Sequence, residues 1–302
     1  MKSIRIGTRN SALALWQARE VARHLQNQNY LTEIVPIVSS GDKNLTQPLY
    51  ALGITGVFTR DLDVALLNDE IDIAVHSLKD VPTQLPEHIE LIAHLERDYP
   101  QDVLIRKESA KNKEFHELKL ATSSLRRRAF WLKNFPAAEF SDIRGNIQTR
   151  LQKLEEEDFD ATILSLAGIK RMNMDIDYEM LPFMIPAASQ GVISVAGHSA
   201  KKEINAIISS INHKPTQICV EMERNFLRTL EGGCTAPIGA FAEIFDDQIR
   251  FKAALCSLDG KSSIATDENF VYNEEENAGE KFAAIVLENG GKELMAEIKS
   301  QL

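Results

Sequence analysis

The stretch SIRIGTRNSALALWQAREVARHLQNQNYLTEIVPI, residues 3–37, decides the fold class. Ser3–Gly7 reads as a buried strand. Asn10–Asn27 places Leu13, Leu15, Trp16, Val21, Ala22 and Leu25 close to the helical period, with Asn10 or Ser11 available as N-cap. Thr32–Ile37 then predicts a second strand. Strand, helix and strand in succession build parallel or mixed sheets covered by helices.

Working outward, a helix over Phe58–Leu67 leads into a strand at Ile71–Val75 and a proline-punctuated loop from His76 to Pro86. After residue 100 the unit repeats, with strands at Val103–Arg106, Leu118–Ala121, Glu139–Ile143 and Ala161–Leu164. Helices are expected over Ser124–Lys133, Asn146–Glu156 and Leu166–Arg171. Val192–Ala196 is expected to return to the first sheet, ahead of a helix at Ala200–Ile211. From Lys214 the pattern becomes a long helix to about Leu230, strands Ile238–Ile244 and Gln248–Leu255, then helices to Leu302. The reading is an α/β chain with a smaller α+β domain at its end: residues 1–96 with 190–211, residues 99–187, and residues 214–302.

The 302 residues carry 44 acidic and 34 basic side chains, a net charge of −10, which argues against a broad nucleic-acid grip and, on that number alone, against a polyanionic ligand. Location reverses the second inference. Residues 214–302 hold 16 acidic and 9 basic side chains, so seven of the ten excess negative charges lie there. In the first 213 residues arginines gather where strands hand over to helices: Arg9 in GTRNS, Arg126, Arg127 and Arg128 in ATSSLRRR, Arg144 and Arg150 in IRGNIQTRL, and Arg171 in AGIKRM. Unbonded N–H groups at a helix start favour an anion, and a guanidinium matches a carboxylate or phosphate. Any one of these arginines alone is better read as a solvated helix-surface charge or the partner of a local acid, but three separate junctions point to one polyanion. No GxxxxGK[ST] loop and no GxGxxG after a strand is present, so carboxylates are favoured over phosphates.

Two further segments carry chemistry. IDIAVHSLKDVPTQLP, residues 71–86, runs from a buried strand into Lys79 and Asp80. A carboxylate at such a strand end can stabilise a developing cation, accept an N–H or move a proton, and it can equally cap a turn. LEGGCTAPIG, residues 230–239, sets Cys234 after two glycines, where a thiol serves as nucleophile or cofactor anchor, or packs as a small hydrophobe. Cys219 and Cys256 fall in patterned segments and are expected in cores. Three cysteines without CxxC spacing indicate neither a disulfide framework nor a zinc site, and no metal is expected. No signal-like segment opens the chain and no run of eighteen apolar residues occurs, so no membrane association and a cytoplasmic location are expected.

TRNSALALWQA, IDIAVHSLKDVPTQLP, ATSSLRRR, IRGNIQTRL and LEGGCTAPIG together resemble the porphobilinogen deaminases, the hydroxymethylbilane synthases of tetrapyrrole biosynthesis, nearly end to end. The resemblance implies two periplasmic-binding-protein-like domains around a cleft and a third supplying the cysteine loop. It implies a dipyrromethane cofactor joined to Cys234 by a thioether. Four porphobilinogen units would extend that primer, each losing ammonia, before hydroxymethylbilane is hydrolysed off and passed to the next enzyme. By the same likeness Asp80 is the catalytic acid/base beside an azafulvene-like cation, and Lys79 positions it. Ser124, Arg126, Arg127, Arg144, Gly145 and Gln190 join Cys234, Asp80 and Lys79 around the cofactor, with Thr122 as an added donor. Arg9, Ser11, Phe58, Arg144, Arg150 and Arg171 are implied for substrate. A monomer is expected.

Two segments depart from the family pattern. YALGITGVF has Ala51 and Thr55 where lysines are common, leaving carboxylate binding there weaker or shared with Lys43 or Arg60. PAASQG, with Ala188 and Ser189, replaces the more usual PAVGQG, and His198 occupies a region that is often acidic. A two-lobed anion-binding protein without catalysis is the alternative reading, and the glycine-flanked thiol argues against it.

Overall fold

The computed structural model describes residues 3–38, 56, 58–230, 236–273 and 277–302. Its chain opens with β1 (Ile4–Arg9), α1 (Ala12–Gln26), β2 (Thr32–Ile37), α2 (Arg60–Leu67), β3 (Ile73–Ser77) and β4 (Ile89–His94). The apolar stripe of α1 buries Ala14, Ala18, Val21, Ala22 and Leu25, positions spaced by three and four residues. Ser11, one of the two cap candidates, accepts from the Ala14 N–H at 3.3 Å. The second helix begins at Arg60 rather than Phe58, and the strand expected at Ile71–Val75 runs two residues later, ending against the 3-10 turn Leu78–Asp80.

The chain continues through β5 (Asp102–Arg106), β6 (Lys119–Ala121), α3 (Leu125–Asn134), β7 (Glu139–Ser141), α4 (Ile147–Glu156), β8 (Ala161–Ser165), α5 (Leu166–Arg171) and β9 (Glu179–Met180). It then passes into β10 (Ile193–His198), α6 (Lys202–Ser209) and α7 (Lys214–Thr229). The end comprises β11 (Ile238–Phe245), β12 (Gln248–Cys256), β13 (Ser263–Val271), α8 (Ala278–Val286) and α9 (Lys292–Gln301). Three strands escaped the sequence reading, the shortest being the two-residue β9 at the edge of the second sheet. In β4 the IELIAH run follows a proline-rich loop, and in β13 polar residues dominate a strand lying at a sheet edge.

Two five-stranded sheets share one plan, β2-β1-β3-β10-β4 and β7-β6-β8-β5-β9. Their first three strands are parallel, and the fourth runs antiparallel to the third. In each sheet that fourth strand adjoins a crossing between units: β10 follows the return crossing, and β5 follows the outward one. Register sets Ile193 beside Ser77 and Asp102 beside Ser165, so both crossings pass the carboxyl ends of the parallel strands, where open α/β sheets place their ligands.

Cores form on each sheet. Trp131 of α3 is fully buried, meeting Phe115 and Phe183 edge-on and Phe135 at a tilt. The antiparallel sheet β11-β12-β13 packs with α7, α8 and α9 around Phe226, Phe251 and Phe282. Cys219 and Cys256 are buried as expected, and burial pushes their thiols up to about 12 and about 11. No helix among the described residues is long and apolar enough to cross a membrane.

Candidate active site at the junction of the two sheets

Hydrogen bonds join the two sheets at their carboxyl ends. Lys79, in the 3-10 turn after β3, donates Nζ to Gln190 Oε1 at 3.2 Å. Gln190 Nε2 donates to the Pro100 carbonyl at 2.6 Å and to Asp102 Oδ1 at 3.1 Å. Asp102 also accepts Arg126 Nη1 on Oδ2 at 2.7 Å, and Arg127 Nε and Nη2 on Oδ1 at 3.0 and 2.8 Å. The two arginines reach further, Arg126 to the Ile185 carbonyl and Arg127 to the Ile163 carbonyl, each at 2.7 Å.

Burial and neighbouring charge together set the titration of this cluster. Burial pushes the Lys79 ammonium down to about 8, opposed by Asp80 and Asp102 and reinforced by Arg127 and Arg126. Burial works against the Asp102 carboxylate, but Arg126 and Arg127 outweigh it and hold that group far below the usual carboxylate range. Burial also lowers Arg150 to about 10, with the charges of Arg127 and Arg144 adding to the shift and Asp80 opposing it. Arg127, Arg144, Arg150 and Asp80 therefore share one electrostatic neighbourhood. Five cationic side chains there, Lys79, Arg126, Arg127, Arg144 and Arg150, outnumber the carboxylates of Asp80 and Asp102. Asp142, which acts on Arg144, is itself bonded to Arg128 at 2.7 Å.

Local sequence sets the donors. Ser124 caps α3, accepting from the Arg127 N–H at 3.4 Å, and the Ser124 N–H donates to Thr122 Oγ1 at 3.3 Å. Asn146 caps α4, accepting from the Thr149 N–H at 2.9 Å. Gly145, at φ +116°, holds a conformation that L side chains avoid, and its carbonyl accepts Arg150 Nε at 2.9 Å. Across the junction the guanidinium of Arg9 lies 4.2 Å from the Phe58 ring centroid. His76, beside them, is pushed down to about 4 by burial and by the charge of Arg9, which keeps its imidazole neutral near pH 7.

Arg171 is set apart from this cluster. Its Nε donates to Asp98 at 2.8 Å, its Nη2 donates to the Gly191 carbonyl at 2.6 Å, and its guanidinium lies 5.8 Å from the Trp16 ring centroid. These contacts make it a tie between α5, α1 and both crossings. Ser11 is occupied as the cap of α1. Cys234, together with Lys43, Ala51 and Thr55, lies outside the described residues. Close to Cys234 in sequence, the Ala240 N–H donates to the Pro186 carbonyl at 3.0 Å, one residue from the carbonyl that Arg126 holds.

Sequence reasoning missed Asp102, Glu223 and Arg224. Asp102 was a lone acid in YPQDVLI, with nothing local to mark its partners. Arg224 of α7 donates to the Val81 and Pro82 carbonyls at 2.9 and 2.6 Å, fixing the turn that follows Asp80. Glu223 accepts from the Ser189 N–H at 2.6 Å, from the Ala242 N–H at 2.7 Å and from Arg97 Nη2 at 2.8 Å. Ser189 sits at φ +66°, in the left-handed region, at the PAASQG position where the resembling family usually has glycine.

Comparison with known proteins adds to this geometry. The family model for "Porphobilinogen deaminase, dipyromethane cofactor binding domain" matches residues 4–206, and that for "Porphobilinogen deaminase, C-terminal domain" matches residues 217–288. The chain is similar to the porphobilinogen deaminase of Syntrophomonas wolfei, 39% identical over 99% of this chain and 100% of that protein. It is similar to that of Desulforamulus reducens at 41%, over 98% of each chain. Among solved structures, the second substrate binding domain of a putative amino acid ABC transporter from Streptococcus pneumoniae overlaps 69% of this chain and 91% of that one, at 11% identity and a TM-score of 0.44.

Proposed function

The chain belongs to the porphobilinogen deaminase family, and on that premise we propose that the junction between its two five-stranded sheets is the place where porphobilinogen is bound and deaminated. The protein is a hydroxymethylbilane synthase: it joins four porphobilinogen molecules head to tail on a dipyrromethane primer, with loss of ammonia at each step, and releases hydroxymethylbilane. The observation that carries the site assignment is the excess of guanidinium and ammonium groups around Asp80 in a chain of net charge −10.

The donor set suits a dipyrromethane. Each pyrrole brings acetate and propionate groups, and Arg127, Arg144 and Arg150 crowd one another's charges enough that burial and mutual repulsion depress Arg150. Added carboxylates relieve that crowding. Cys234 is the proposed point of attachment, by thioether. The bound group would supply the nucleophilic pyrrole carbon to which the first unit is joined.

This chain's own residues perform the rest. Asp80, which shares the neighbourhood of these cations, is the proposed acid/base. Loss of ammonia from an aminomethylpyrrole puts positive charge on the ring nitrogen, and a fixed carboxylate stabilises that charge more than it stabilises the neutral substrate. Lys79, held by Gln190 Oε1, is proposed to keep its ammonium toward Asp80 and the substrate acids. Ser124, Arg126, Arg127 and Gly145 are assigned to the cofactor side, Arg144 to both sides, and Arg9, Phe58 and Arg150 to incoming substrate. Arg171 and Ser11 act on substrate, in this reading, by fixing the crossings and the start of α1. The units 1–96 with 190–211, 99–187 and 214–302 are proposed as the working domains, and the chain as a cytoplasmic monomer that hands on its product.

Porphobilinogen consumption and ammonia release by purified Arg144→Leu protein test the assignment. A loss of about tenfold or more is expected for one charge-assisted contact at a substrate carboxylate. Turnover equal to the parent enzyme contradicts it.

A further inference from the structure

Asp102 opens β5 at the head of the outward crossing and is 1% exposed, so it meets no solvent-borne substrate. Its carboxylate nevertheless accepts four bonds, one from Arg126 on Oδ2 and three on Oδ1 from Arg127 Nε, Arg127 Nη2 and Gln190 Nε2. Each carboxylate oxygen offers about two lone-pair sites, so Oδ1 is fully engaged by its three donors.

Its acceptor character helps dictate which way Gln190 points. An amide has one donor end and one acceptor end. Both neighbours of Gln190 Nε2, the Asp102 carboxylate and the Pro100 carbonyl, are acceptors, so the NH2 must lie there. Oε1 is thereby turned toward Lys79 Nζ. The chain of dependence runs from one buried charge on β5 to two arginines on α3 and, through the return crossing, to the turn after β3.

We propose that Asp102 is a positioning residue for the reaction: from behind the site it fixes the guanidiniums of Arg126 and Arg127 directly and the ammonium of Lys79 through Gln190, so that one carboxylate sets both halves of the site. This rests on the site reading given above. Replacing it by asparagine leaves a single acceptor oxygen, and the new NH2 must then confront an arginine or Gln190 donor. Replacing it by glutamate keeps the charge and adds one methylene to a packed cluster, which pushes the guanidiniums out of place.

The test compares Asp102→Asn and Asp102→Glu by steady-state kinetics and by competitive acetylation of Lys79 with acetic anhydride across pH, read by peptide mass spectrometry. The groups acting on Lys79 are Asp80, Asp102, Arg126 and Arg127, with Gln190 as its bonded neighbour. Asp102→Asn is expected to move the Lys79 labelling midpoint to lower pH, because a neighbouring anion is lost, and to cut kcat at least tenfold. Asp102→Glu is expected to keep that midpoint nearer to the parent value while kcat/KM falls at least tenfold. Should Asp102→Asn fail to fold, Asp102→Glu decides alone. Kinetic constants within twofold of the parent in a folded Asp102→Glu enzyme overturn the proposal, as does a parental Lys79 midpoint in folded Asp102→Asn. A shifted midpoint in Asp102→Asn with undiminished turnover keeps the hydrogen-bonded network but overturns the positioning role of Asp102, whereas loss of turnover in Arg144→Leu and Asp80→Asn is read independently of Asp102, which separates the two failures.

Discussion

At the start of α3, Arg126 and Arg127 close on the buried carboxylate of Asp102, whereas at the start of α4, Arg150 donates Nε to the Gly145 carbonyl and, among the described residues, has no carboxylate within ion-pair distance. Both helices begin with a side-chain cap, Ser124 in one and Asn146 in the other. What differs is who neutralises the arginines. The α3 pair is balanced from inside the protein and held in place, which suits the cofactor-side role proposed for it. The α4 arginine meets other cations, and in the proposed function its balance comes from carboxylates that arrive and leave with each substrate. One sequence signal, arginine at a strand-to-helix junction, thus covers two physical roles.

Neither arginine set supplies the chemistry if the carboxylate opposite them does, so Asp80→Asn gives the largest expected effect. It should retain fold and cofactor and lose about 10²-fold or more in turnover, the range for a positioned acid/base. Stopped-flow or steady-state assay of ammonia release checks this, and near-parental activity removes Asp80 from the mechanism.

The α3 side should fail through stability. Arg127→Leu leaves Asp102 buried with one guanidinium fewer, a cost of about 3–5 kcal/mol for breaking a buried pair. Denaturant unfolding of the variant should show that loss together with poor cofactor assembly, and a parental midpoint with full cofactor returns Arg127 to the class of surface charges. The α4 side should fail through kinetics. Arg150→Leu should lower kcat/KM about tenfold, the value of one charge-assisted hydrogen bond, with a melting temperature close to the parent's. If Arg150→Leu instead unfolds the protein and spares the kinetics, the comparison is inverted.

The smallest effect is a pH dependence at Lys79, which lies between the two sides. Its ammonium has a folded-state value of about 8, below the ordinary lysine value of 10.5. Between those values the unfolded chain binds more protons than the native one, so native stability gains as pH rises from about 8 toward 10.5. Lys79→Met removes this contribution. Its stability relative to the parent should therefore be highest near pH 7 and decline as pH climbs through that window. Melting curves at matched ionic strength check the sign, and a constant difference contradicts the burial of that charge.

Much of the fold was legible because strand and helix periods are local properties. The β1–α1–β2 unit, the starts of α3 and α4 and the apolar run of β10 all follow from patterns within a few residues of each other. The strands β4 and β13 were not, since a proline-rich approach masks one and a solvent-facing polar edge masks the other. In the site, Asp80, Lys79 and the arginines stood out by motif, but motif did not separate Arg171, spent on Asp98 and the Gly191 carbonyl, from Arg150. Asp102 was invisible for a plainer reason. Its partners lie 24, 25 and 88 residues away, and only the packing of the second sheet and the return crossing bring them together.

The central claim, that this chain builds tetrapyrrole precursor on a primer attached to Cys234, is tested most directly by the intact mass of the purified protein. A mass above that of the bare sequence by one dipyrromethane, absent from Cys234→Ala and increasing stepwise with added porphobilinogen, is the predicted result. An unmodified, inactive chain after incubation with porphobilinogen contradicts it.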